Sequence, residues 1–132
     1  MTNDLMPILV VEDSNTMGRI ICGLLKQIGY QKIDLAHGGT TALAKMRSES
    51  YGLVISDWNM HPMTGLELLK QIRSEASFAK TRFIMVTAES SMDHVVAAKS
   101  AGADGFIVKP FTVQIFKARI DALFETRRGE SP

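Results

Sequence analysis

A chain of 132 residues, 45% hydrophobic and 22% charged, is the size and make-up of one compact domain with a full core, which excludes a second. Fifteen basic against fourteen acidic residues leave a formal charge of +1, so no overall field recommends nucleic acid, an anionic membrane or a polybasic partner. No segment approaches the roughly 18 apolar residues of a membrane span, and the lone Cys22 offers neither an internal disulfide nor a metal cluster, so the expectation is a soluble, cytoplasmic, monomeric protein.

Runs rich in Val, Ile, Leu and Phe alternate with helical patterns five times, with no internal repeat or low-complexity stretch between them. Ile8 to Val11 is the first predicted strand. Met17, Ile20, Ile21, Leu24, Leu25 and Ile28 then recur at the spacing of one helix face, and Gly29 stops that helix. A weaker strand around Lys32 to Leu35 precedes a helix from Thr40 to Ser48. Leu53 to Ser56 is an apolar strand of the kind buried on both faces. Leu66 to Arg73 is the third helix, Arg82 to Thr87 the fourth strand, and Met92 to Ala101 the fourth helix, ended by Gly102. Gly105 to Val108 is the last strand, and Val113, Phe116, Ile120, Leu123 and Phe124 share one face of the final helix. Residues 1–6 read as an N-terminal tail, 7–126 as the domain and 127–132 as a polar tail, with no output domain after it.

This alternation implies a doubly wound α/β fold, a five-stranded parallel sheet with five helices on its two faces, because crossovers are right-handed in almost every known case. Periodicity does not give the strand order. In such a sheet the carboxyl ends of all strands open on one crevice. The apolar runs here end at Glu12-Asp13, at Asp57, at Thr87 and at Lys109 followed by Pro110, so residues distant in sequence converge on one site.

Carboxylates gathered there repel one another: two charges about 4 Å apart cost roughly 4 kcal/mol at an effective dielectric near 20. A hard divalent cation offsets that cost, and oxygen ligands plus water suit Mg²⁺. Asp57, at a strand end where a carboxylate can be exposed, has the position of a nucleophile that forms an aspartyl phosphate. Phosphoryl transfer asks the protein mainly to position groups and stabilise charge, which calls for a metal, an ammonium and a hydroxyl donor. Lys109 and Thr87 supply the latter two; Lys109 would pair with Asp57 at rest, and the small Ala88 would leave room for the incoming group.

Five motifs carry a resemblance. They are Val-Glu-Asp-Ser at 11–14, Asp-Trp-Asn-Met at 57–60, Gly-Leu-Glu-Leu-Leu-Lys at 65–70, Val-Thr-Ala-Glu at 86–89 and Phe-Ile-Val-Lys-Pro-Phe at 106–111. In this order, from Pro7 to Glu125, the chain resembles response-regulator receiver domains, the single-domain, CheY-like chemotaxis type above all. The resemblance implies the flavodoxin-like sheet order 2-1-3-4-5. It also implies phosphotransfer from a sensor histidine kinase to Asp57, with Mg²⁺ held by Asp13, Asp57 and the carbonyl of Asn59, and by Glu12 through water. Thr87, Lys109 and Phe106 match the switch residues, Asn59 and Glu89 match positions that tune dephosphorylation, and the fourth helix, last strand and last helix match the face that docks a downstream protein. A cis bond is expected at Lys109-Pro110. Two departures stand out: His61 takes the place of the usual proline, with Pro62 after it, and Phe106 lacks the hydroxyl of the tyrosine in the best-known chemotaxis member.

Taken singly, these residues have plainer readings. Glu12-Asp13 would be a solvated loop, Thr87 a strand-end cap, Lys109 a surface lysine and Phe106 a core aromatic; the set gives them meaning. His37, His61 and His94 lack metal-ligand spacing and are expected on exposed loops or helices, with His61 near enough to Asp57 to bond close to a phosphoryl group. Trp58 is expected to report on metal and phosphate, and Met60 and Met63 to fill gaps. The competing functions are a relay intermediate or phosphate sink, an aspartate-nucleophile phosphatase and a flavin module. The phosphatase reading wants a second acid where Asn59 stands, and the flavin reading wants a phosphate cradle where Glu12-Asp13 would repel one.

Overall fold

The computed structural model describes residues 5–129, with side chains described as far as residue 124. In chain order the elements are β1 (Ile8–Val11), α1 (Asn15–Gln27), β2 (Ile33–Ala36), α2 (Gly39–Ser48), β3 (Leu53–Asp57), α3 (Gly65–Arg73), β4 (Arg82–Thr87), α4 (Met92–Ala101), β5 (Gly105–Val108) and α5 (Val113–Gly129). The strands form one parallel sheet in the order β2-β1-β3-β4-β5, as the resemblance implied.

Successive residues of a strand point to opposite faces, so an unbroken apolar run feeds two cores at once. Ile8, Val10, Leu53, Ile55, Ile84, Val86 and Ile107 face α1 and α5, where they meet Ile21, Leu25, Phe116 and Ile120. Leu9, Val11, Val54, Phe83 and Met85 face the other way, onto Leu43 and Met46 of α2 and Leu68, Leu69 and Ile72 of α3. Burying one such side chain contributes about 1.5–3 kcal/mol, so the two apolar layers outweigh any single polar contact.

Caps set the helix boundaries. The Ser14 hydroxyl accepts from the Met17 amide and opens α1 at Asn15, ahead of its first apolar residue. Thr64 and Glu67 form a reciprocal capping box at the start of α3. Gly29 (φ +112°) and Gly102 (φ +106°) stand in the left-handed region and turn the chain out of α1 and α4.

Three features differ from the sequence reading. α5 runs to Gly129, through Arg127 and Arg128 of the expected polar tail, because nothing between Ile120 and Arg128 breaks a helix; residues 130–132 lie outside the described residues. Met6, assigned to the N-terminal tail, packs against the core shared by α1 and α5, while residues 1–4 lie outside the described residues. A short 3-10 turn at Ala76–Phe78 buries Phe78 between α3 and β4; three residues are too few to show a period.

Candidate functional site

Strand register brings the predicted residues together. Val11 pairs with Ser56, Asp57 with Val86 and Thr87 with Val108, so Glu12, Asp57, Thr87 and Lys109 stand within one residue of the carboxyl edge of four neighbouring strands. Each of Glu12, Asp13 and Asp57 offers a carboxylate oxygen, and these atoms lie within 4.8 Å of one another. Glu12 and Asp57 are buried and Asp13 is exposed. Lys109 reaches over them, with Nζ 3.1 Å from Asp57 Oδ1 and 3.5 Å from Glu12 Oε2. The resting pair expected between Lys109 and Asp57 is thus formed.

Burial pushes the Glu12 carboxyl above the usual glutamate range; the Ser14 amide bonded to it, at 3.2 Å, and Lys109 pull down, and the charge of Asp57 pushes up. The net direction says that the folded protein holds the Glu12 negative charge at a cost. Hard oxygen donors, like-charged and partly desolvated, with one of them open to solvent, fit Mg²⁺, which binds through one or two carboxylates and keeps several waters.

Thr87 is fully buried, and its hydroxyl accepts the Glu89 amide at 3.0 Å, which fixes the turn after β4. The Lys109 amide donates to the Thr87 carbonyl at 2.8 Å, and Lys109-Pro110 is cis, as expected. Asn59 and Glu89 are exposed, on the loops that follow β3 and β4. Phe106 is half-buried in β5, with its ring edge toward Trp58 at 6.4 Å between centroids. Met60 is fully buried, and Met63 packs against the same core.

The loop after Asp57 departs from expectation in one respect: His61-Pro62 is a second cis bond. His61 itself is exposed. Gly65 is required beneath this loop, because a Cβ there would run into the Asp57 carbonyl oxygen and the Trp58 Cα. The Gly65 amide donates to the Trp58 carbonyl at 2.8 Å and so locks the loop to the start of α3.

Of the remaining histidines, His37 stands on an exposed loop as expected and His94 does not. His37 is exposed, but its Nδ1 lies 3.1 Å from the Glu12 carbonyl oxygen and ties the end of β2 to the first acid. His94 is half-buried rather than on an open helix face, with its ring against Trp58 at 4.8 Å between centroids. A Ser91-x-x-His94 spacing at a helix start was the one signal available for it.

The chain is similar to known proteins in both sequence and fold. The sequence profile described as "Response regulator receiver domain" matches residues 8–121. The chain belongs to that family. The receiver is 41% identical to the chemotaxis protein CheY of Pseudomonas aeruginosa over 124 residues, covering 94% of this chain and 100% of that one. It is 39% identical to the chemotaxis protein CheY-3 of Vibrio cholerae, covering 93% and 95% of the two chains. Among solved structures, chemotaxis response regulator CheY4 of Vibrio cholerae superposes with a TM-score of 0.84 at 31% identity, over 90% of this receiver and 98% of that chain. The signal receiver domain of a histidine kinase from Syntrophus aciditrophicus gives a TM-score of 0.83 at 29% identity, over 96% of each chain. Among the described residues, no helix is long and apolar enough to cross a membrane.

Proposed function

We propose that this receiver takes a phosphoryl group onto Asp57 from the phosphohistidine of a sensor histidine kinase and thereby switches its binding to a downstream protein, in a chemotaxis-type pathway. The observation that carries the reading is the gathering of Glu12, Asp13 and Asp57 at the carboxyl edge of a receiver sheet, with the Lys109 ammonium on Glu12 and Asp57. The chemotaxis assignment draws on relatives that are named chemotaxis proteins and matched over 95% or more of their length.

In the transfer an Asp57 oxygen forms the new bond to phosphorus as the phosphorus–nitrogen bond of the donor breaks, and the electron pair leaves with the imidazole. The Lys109 ammonium, already beside Asp57 Oδ1, moves its hydrogen bond to a phosphoryl oxygen. Thr87 gives up the Glu89 amide or shares its hydroxyl with a second oxygen, so the turn after β4 follows the state of Asp57. Glu12, Asp13, Asp57 and the Asn59 carbonyl would hold Mg²⁺, which neutralises the acids and the arriving charge. Phe106, α4 and α5 would carry the change to the docking face.

Acetyl phosphate with Mg²⁺ should add one hydrolysable group of about 80 Da, and Asp57→Asn should abolish it. A wild-type chain that stays unlabelled under saturating donor sinks the reading; labelling that persists in Asp57→Asn moves the acceptor elsewhere. Mg²⁺ alone should change the fluorescence of Trp58, the only tryptophan. Lys109→Ala should keep that metal response and lose phosphorylation-dependent partner binding.

A further inference from the structure

Trp58 is held in two different ways. Its backbone is fixed, since the amide donates to the Val86 carbonyl at 3.0 Å and the carbonyl accepts from the Met60 and Gly65 amides at 3.1 and 2.8 Å. Its ring is held by other rings, the edge contacts to His94 at 4.8 Å and to Phe106 at 6.4 Å. His94 lies in the first turn of α4, where the Ser91 oxygen meets both its amide, at 3.3 Å, and its Nδ1, at 2.7 Å. The hydroxyl can take the amide proton and bond Nδ1 at the same time, which holds the ring in one orientation.

α4 is thinly anchored. One of its ten residues, Ala98, is fully buried, against four of nine in α3. A helix with so little buried surface opens locally at low cost, so the contacts at its ends carry weight. Its carboxyl end is tied by Arg73, whose Nε donates to the Gly102 carbonyl at 3.1 Å. Through His94 its amino end bears on Trp58, the residue that follows Asp57 in the chain.

We propose that His94 and Trp58 form a clasp between the first turn of α4 and the Asp57 loop, with His94 as the positioning residue through which the state of Asp57 reaches this helix. The proposal rests on the phosphoacceptor reading. It is separate from the Thr87 route, which acts through a hydroxyl on the Glu89 amide in the turn before α4, whereas the clasp bears on the helix itself. Both ends of the clasp are two-sided: loop movement displaces the Trp58 ring, and a displaced ring frees the helix end.

Hydrogen exchange of residues 92–95, followed by mass spectrometry, tests it in wild type, His94→Ala and His94→Phe, with and without acetyl phosphate and Mg²⁺. The intact mass of the same samples counts the adduct. Labelling should change wild-type exchange in this segment by about threefold or more. His94→Ala, labelled to the same extent, should lose that change. His94→Phe keeps a ring against Trp58 and leaves Ser91 free to cap the helix, so it should recover it. If His94→Ala raises exchange before labelling by fraying the first turn, the phenylalanine chain decides, and its failure to respond overturns the clasp. So does a full response in His94→Ala. In both cases an adduct present at Asp57 leaves the phosphoacceptor reading standing, whereas an unlabelled wild type overturns both.

Discussion

The two ends of the sheet handle charge in opposite ways. At the carboxyl edge, three clustered carboxylates, Glu12, Asp13 and Asp57, face one ammonium, Lys109, which pairs with Glu12 and Asp57, and burial works against the Glu12 charge. At the amino edge, Asp104 accepts from Arg73 at 3.0 Å, from the Phe83 amide at 2.8 Å and from Arg82 at 3.5 Å. Arg73 also donates to the carbonyls of Gly102 and Phe78, and Tyr51 donates to Asp34 at 2.6 Å. There the one buried side-chain nitrogen without a partner, among the described residues, is Arg82 Nε. That nitrogen apart, the charged groups at the amino edge are paired with opposite charges or carbonyls and stabilise the fold. Those at the carboxyl edge are left short of positive charge, a shortfall that a divalent cation would make up under the proposed function.

The largest effect that sharpens this contrast is at Gly65. Gly65→Ala forces a Cβ into the backbone of Asp57 and Trp58, which cannot yield as a flexible side chain would. The expected loss is about 3 kcal/mol in urea unfolding, together with a shifted Mg²⁺ response of Trp58. Asp104→Ala comes next. It leaves the Phe83 amide and two guanidiniums without their shared acceptor, and should cost about 2 kcal/mol, with Asp57 labelling unchanged because the damage lies at the other edge. Equal loss of labelling would break the comparison.

How far the sequence foretold this depends on what sets each contact. The strands and the gathering of Glu12, Asp57, Thr87 and Lys109 were legible because an apolar run shows where a strand ends, and a parallel sheet turns every such end to one side. The pairing of Lys109 with Asp57 followed from charge alone. His94 against Trp58 was not legible, because a helix residue's partner depends on where the helix sits over the sheet, which spacing does not encode. Gly65 looked like part of a motif, and its steric reason emerged only when the Asp57 loop folded back over it. The length of α5 was missed because polar composition was read as tail, although glutamate, threonine and arginine all continue a helix.

Glu12→Gln reverses the usual direction of a mutation. The ionised Glu12 is disfavoured in the fold by burial and by Asp57, so a neutral amide of the same shape should raise the stability of the metal-free protein by about 1 kcal/mol, the scale of gains won at functional sites. The gain should shrink when Mg²⁺ is added, since the ion stabilises the wild type by binding its folded state. Thermal unfolding with chelator and with Mg²⁺ checks both. A variant less stable than wild type in chelator would mean that the carboxyl edge is as well matched as the amino edge.

The smallest effect is at Tyr51, on the matched side. Its hydroxyl proton is held first by burial and then by the bond to Asp34, both of which push the phenol well above its ordinary range. A group whose folded pKa is raised contributes stability that is fully present below its unfolded value, about 10 for tyrosine, and is lost as pH rises toward the folded value. Tyr51→Phe should therefore cost up to about 1 kcal/mol at neutral pH, the net worth of one hydrogen bond. Above pH of about 10 the wild type should lose this advantage, because the phenol ionises in the unfolded chain while burial and the Asp34 carboxylate keep it protonated in the folded one. Lysines titrate in the same window, so the informative quantity is the difference between the two chains, in which their contribution cancels. A difference that stays constant through that window would show that the Tyr51 proton is not held by Asp34, and that the amino edge is less tightly matched than its geometry says.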